Sequence, residues 1–141
     1  MEQTIQQINI SHEAALAAVV ASVRRGQETG CCVAAAVVDR GGNLVAFLRA
    51  AGSFLHSADI AKDKAYSAVS FGMATAALFD LIKNSPALRE GLAQRDRFIA
   101  FAGGFPITTN GQLIGGIGVS GGSEEQDCGC AQAGLAAIGL N

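Results

Sequence analysis

The chain predicts an α+β domain, an antiparallel sheet flanked by helices in the order α-ββ-αα-βββ-α. Three observations carry this. Apolar residues recur at helical three- and four-residue steps in some stretches and gather into strand-length runs in others. The runs are joined by turn chemistry in hairpins instead of alternating singly with helices, as a doubly wound parallel sheet requires. And 141 residues fit one domain spanning 1–141.

The first helix is expected to start at Ser11, a good N-cap, with Glu13 complementing the positive helix end. Ala14, Ala15, Ala18, Val19 and Val23 form its buried face, and Arg24 and Arg25, followed by Gly26 and Gly30, mark its close. Cys32 to Val38 and Leu44 to Leu48 read as strands around the turn Asp39-Arg40-Gly41-Gly42-Asn43, a hairpin buried on both faces or nearly so. From Ser57, Ala58, Ala61, Ala65, Ala68, Val69 and Gly72 give a second helix a flat face of small residues, against which something packs closely. Thr75 is expected to cap a third helix over Ala76 to Lys83, and Pro86 to open a further helical turn. Phe98 to Phe101, Phe105 to Thr109 and Gln112 to Val119 read as strands, the last two joined by the hairpin dipeptide Asn110-Gly111. Ser123 and Gln126 form a capping box for a last helix with Ala131, Leu135 and Ile138 inward.

Half of the residues are hydrophobic and 16% are charged, enough for a sizeable core. The excess of apolar residues points to a homo-oligomer, because a small monomer keeps its exposed apolar surface limited. Ala (26 residues) and Gly (18) dominate, and Trp is absent, so close packing is favoured over aromatic stacking. A net charge of −2 with no basic run argues against a nucleic-acid partner. The longest apolar run, Cys31 to Val38, is too short to span a membrane, and the first residues lack a signal-peptide pattern. The expected setting is therefore cytoplasmic, without a membrane partner. The four cysteines, Cys31, Cys32, Cys128 and Cys130, are then read as free thiols acting as small hydrophobes, and neither spacing is that of a structural zinc site, so no metal site is assigned.

The Gly-rich exit from the last strand, Gly115 to Ser123, has two readings. Backbone N–H groups of Ser120, Gly121, Gly122 and Ser123 at a helix N-terminus suit the carboxylate or phosphate of a small-molecule ligand. The same glycines equally serve a tight turn and close helix-to-sheet packing, while Glu124, Glu125 and Asp127 complement the dipole.

Five motifs occur in order: Asp39-Arg40-Gly41-Gly42-Asn43-Leu44; Arg49; Ile60-Ala61-x-x-Lys64-Ala65; Gly103-Gly104-Phe105-Pro106-Ile107; and Gly115 to Gly122 followed by Glu125-Gln126-Asp127. Together they make the chain resemble the GlcG/HbpS family over residues 11 to 140, a family that also supplies the C-terminal domain of PduO-type cobalamin adenosyltransferases. The resemblance implies a profilin-like fold, oligomeric assembly and, in several members, binding or slow degradation of haem. Asp39, Lys64, Pro106 and Asp127 match family positions. Arg49 is followed by Ala50-Ala51-Gly52-Ser53, where the family usually carries a Met-Asp-Gly-like sequence, so a carboxylate is missing there.

If haem is the cofactor, the two histidines are the side chains to hold its iron. His12 sits one residue past the first helix cap, where some haem-binding relatives take an axial ligand, and His56 lies beside Phe54 and Leu55. The same residues admit a cofactor-free enzyme instead. His56 as general acid or base, Arg49 or Lys64 holding a carboxylate and the Ser120–Ser123 turn polarising an oxygen would suit imine hydrolysis, deamination or tautomerisation of a small unsaturated carboxylic acid.

Overall fold

The Ser11 hydroxyl accepts a hydrogen bond from the Ala14 N–H at 3.2 Å, and helix α1 (His12–Glu28) follows from it. In the computed structural model, which describes residues 1–141, the remaining elements are β1 (Ala34–Asp39), β2 (Leu44–Arg49), α2 (Leu55–Phe71), α3 (Thr75–Ile82), α4 (Pro86–Ala93), β3 (Gly104–Thr109), β4 (Gln112–Ser120) and α5 (Glu124–Ala137). The strands form one antiparallel sheet in the order β2-β1-β4-β3. The fold class is thus the α+β one expected.

Side-chain alternation on the central strands divides the domain into three layers. Ala35 and Val37 of β1 and Ile117 and Val119 of β4 face α1 and α5, where Ala18, Val19, Ala131 and Leu135 complete the main core. Ala34, Ala36 and Val38 face the opposite way, against Ala61, Ala65 and Val69 of α2. The small-residue face of α2 is answered by Gly116 and Gly118 of β4. A Cβ on Gly116 would collide with the Ala65 carbonyl oxygen, and one on Gly118 with that of Ala61. The helix backbone therefore lies directly on the strand.

The turns follow their residues closely. Asp39 accepts from the Gly41 and Asn43 N–H groups, both at 2.9 Å, which closes the first hairpin. Asn110 and Gly111 have φ of 50° and 76°, the left-handed pair that a tight two-residue hairpin needs. At the start of α5 both halves of the Ser123/Gln126 capping box are made.

Three local expectations are corrected. Phe98–Phe101 forms no strand. Ser67 Oγ donates to the Arg97 carbonyl at 2.8 Å and accepts from the Ile99 N–H at 2.9 Å, while Phe98 meets Phe71 edge-on with ring centroids 5.9 Å apart. The Ile99 N–H, which a ladder would use, is thereby taken by a side chain. The first hairpin is buried only on its β1 half, because β2 is an outer strand with half-buried and exposed residues. Finally, Ala74, not Thr75, occupies the N-cap of α3. Thr75 is fully buried, and its hydroxyl accepts from the Gly104 N–H at 3.0 Å. Two residues further along β3 stands Pro106, opposite Gly116.

Candidate functional site

The chemically distinctive region lies where α2, the end of β4 and the first turns of α5 meet. Lys64 is a cation on an otherwise small-residue face, and only 1% of it is exposed. Its Nζ donates to the Val119 carbonyl at 2.8 Å and to Asp127 Oδ2 at 3.1 Å, and it stands 5.0 Å from the centre of the Phe101 ring. Burial pushes the Lys64 ammonium below the usual lysine range, and the Asp127 carboxylate beside it counteracts the shift. Asp127 is pushed upward by the same burial, opposed by Lys64 and by the Gly122 N–H. Both directions report the cost of burying charge, which pairing offsets in part.

Asp127 also organises the Gly-rich turn. Its Oδ1 accepts from the Gly122 N–H at 2.9 Å, and the Ser123 N–H donates to Gln126 Oε1 at 2.9 Å. Two of the amides expected to greet an anion are therefore already bonded within the turn. Gly121 has φ of 135°, and a Cβ there would stand 2.5 Å from the Cys32 carbonyl oxygen. Ser120 is buried, with its Oγ 3.4 Å from Ser57 Oγ. The close backbone packing that one reading of this segment expects is made at Gly121.

The other candidate residues, Arg49, His56 and His12, are all exposed. Arg49 is exposed and donates through Nη2 to the Ser53 carbonyl at 3.2 Å. His56 is exposed in the first turn of α2, beside Phe54 and Leu55, which are 70% and 82% exposed. His12 is exposed at the start of α1, with exposed Leu16 one turn on. No hydrogen bond joins Arg49, His56 and Lys64, and the Lys64 ammonium is engaged inside the protein. Asp127 as the partner of Lys64 escaped the sequence, although its position in a helix first turn and the lone lysine on an alanine face were the two available signals.

Two open depressions border this region. One, of about 390 Å³, runs between the end of α1 and the start of α5 and includes Arg25, Thr29, Gln126 and Cys130. The other, of about 400 Å³, is more apolar, with Phe79, Phe101 and Glu124 on its walls. No single helix is long and apolar enough to cross a membrane.

Comparison with known proteins agrees with this architecture. Residues 10–136 match the family model described as "Haem degrading protein HbpS-like". The corrinoid adenosyltransferase PduO of Salmonella typhimurium is 37% identical over 122 residues, 85% of this chain, which spans only 36% of that enzyme. Among solved structures, Klebsiella pneumoniae protein ORFY superposes with a TM-score of 0.92 at 34% identity, covering 100% of this chain and 98% of its own. The PduOC:heme complex superposes at 0.87 and 34% identity, covering 95% and 98%. By the family-model match over residues 10–136, this chain belongs to the HbpS-like family.

Proposed function

We propose that this protein is a haem-binding accessory protein that holds its ligand at the surface through a histidine. The observation that carries the reading is its similarity to a solved haem complex at TM-score 0.87 and 34% identity over nearly the whole of both chains. The residues present fit such a group. Both imidazoles are exposed, and each has large apolar neighbours at the surface, Leu16 for His12 and Phe54 with Leu55 for His56, which suits an iron ligand beside a flat apolar ring. Haem, when bound, supplies the iron centre and its Soret absorption. The chain supplies the nitrogen donor and apolar cover.

Titration of the purified protein with haemin tests this. A saturable Soret band is expected, and His12→Ala or His56→Ala should abolish or shift it. A spectrum unchanged in both variants would remove histidine ligation, and the absence of any saturable band would remove haem binding. The enzyme alternative is not supported by any hydrogen bond among His56, Arg49 and Lys64, and Lys64 is engaged by Val119 and Asp127.

The reading includes self-association in a cytoplasmic setting. Exposed Phe79, Leu81, Leu88 and Phe101 support it, since so many large apolar side chains on a small domain gain from cover by a second copy. Light scattering should then give a mass that is a multiple of 14.3 kDa. A single-chain mass at micromolar concentration would exclude it.

A further inference from the structure

Arg40 is half-buried, whereas the other six arginines of the chain are exposed. Its guanidinium makes no ion pair and no hydrogen bond within the chain; only its backbone N–H is bonded, to Asn9 Oδ1 at 2.8 Å. A cation partly withdrawn from water is costly unless an acceptor replaces the lost hydration. The residue lies in the turn between β1 and β2, and its neighbours fix that turn. Asp39 uses its carboxylate on the turn itself, accepting from the Gly41 and Asn43 N–H groups at 2.9 Å and from Asn43 Nδ2 at 3.2 Å. Gly42 has φ of 83°, and a Cβ there would stand 2.6 Å from Cε2 of Tyr66, so the turn rests directly on that ring of α2. Arg97 covers the ring as well, its guanidinium carbon 3.6 Å from the centroid and its Nε 3.5 Å from Asp63 Oδ1. Between turn and helix lies a depression of about 160 Å³ lined by Arg40, Gly41, Gly42, Tyr66, Val69 and Ser70. Ser70 stands one helical turn after Tyr66, and neither hydroxyl makes a hydrogen bond within the chain.

We propose that this depression binds a phosphate group, free or as the terminal group of a small phosphomonoester, with Arg40 as its counter-ion and the Tyr66 and Ser70 hydroxyls as further donors. Three side chains with unused donors line one small space from two elements, the arginine from the turn and the hydroxyls from the helix. A guanidinium fork matches two oxygens of a phosphate at once. The tetrahedral group has further oxygens for the helix side, which a planar carboxylate held by the fork does not. No acidic side chain lines the depression. The two nearest carboxylates in sequence to its lining residues are engaged, Asp39 by the turn and Asp63 by Arg97. Gly42 is needed at its place, because a larger residue would push Tyr66 away and part the turn from the helix. Neither His12 nor His56 is among the lining residues, so the site is independent of haem.

The test titrates the full chain, free of haem and at constant ionic strength, with inorganic phosphate, with glycerol phosphate and with acetate, reading phosphorus NMR for the first two and melting temperature for all three. Saturable binding of at least one phosphate compound in the millimolar range is expected, with a rise in melting temperature, and weaker binding of acetate. If glycerol phosphate binds and inorganic phosphate does not, the group is recognised as part of a larger molecule; the reverse result assigns the free ion. Arg40→Met should weaken binding roughly tenfold to a hundredfold, the range for hydrogen bonds to a charged group. Tyr66→Phe and Ser70→Ala should each weaken it roughly threefold. Arg95→Met removes the same charge from an exposed position and should leave binding unchanged. Should Arg40→Met not fold, Arg40→Lys, which keeps the charge and loses the fork, should still bind more weakly than wild type. The proposal is overturned if neither phosphate compound saturates, if acetate binds as tightly as they do, or if Arg40→Met and Arg95→Met bind alike.

Discussion

Gly118→Ala is expected to destabilise the fold by about 3 kcal/mol, the upper end for overpacking, or to prevent folding. The new methyl would overlap the Ala61 carbonyl oxygen and stand 2.5 Å from the Ala65 amide nitrogen and 2.8 Å from the Lys64 Cβ. Two of these neighbours are helix backbone, which cannot rotate aside, so α2 as a whole must lift from β4. That motion would loosen Ala61, Ala65 and Val69 from the sheet face they cover and pull on the Lys64 contacts to Val119 and Asp127. Gly129→Ala is the control. It lies within α5 with open space around its Cβ position, and there alanine should add roughly 1 kcal/mol through helix propensity. Urea unfolding of both variants checks the contrast. Equal stabilities would show that the α2–β4 contact is not the tight one described.

Lys64→Met should cost about 3–5 kcal/mol, the usual range when one partner of a buried ion pair is removed. The loss comes from Asp127, left almost fully buried without its counter-ion. A pH signature accompanies it. Asp127 already has its folded pKa raised above the ordinary 3.8 by burial, with Lys64 opposing that rise. Removing the ammonium takes away the opposition, so the raised pKa climbs further. A raised folded pKa gives a contribution present below the unfolded value and lost as pH rises through the folded one. The gap between wild type and variant should therefore narrow from pH 8 to pH 5. Adding Asp127→Asn, which keeps an oxygen for the Gly122 N–H, should recover most of the loss at pH 8. A single variant within about 1 kcal/mol of wild type, with no pH dependence, would contradict the pairing, since that is the size of an exposed pair.

Elements whose signals are local were legible in the sequence. Asn110-Gly111 and the Ser123/Gln126 box act over two to four residues, and both form as read. The alanine face of α2 announced a close neighbour, but not that Gly116 and Gly118 of a distant strand would supply it. Phe98–Phe101 misled because an apolar run has the same composition whether it enters a ladder or packs around an aromatic ring, and the deciding contact, Ser67, lies some thirty residues earlier. Leu44 to Leu48 misled for a related reason, since apolar side chains on an outer strand look like those on a central one until the strand order is known. In the site, Lys64 was singled out, but its partner is 63 positions away, beyond any spacing argument.

The Thr75 hydroxyl and Pro106 also bear on how copies of this chain can meet. On an outer strand alternate residues direct their backbone groups away from the sheet, where an incoming strand could bond to them. Gly104 and Pro106 share that direction on β3. The Gly104 amide is already held by Thr75 at 3.0 Å, and Pro106 has no amide hydrogen to offer. This side of the sheet is blunted at two successive outward positions, so templated growth of one sheet onto another is blocked there. A protein this rich in alanine, valine and glycine can thus accumulate in a crowded solution without zipping its copies together along β3.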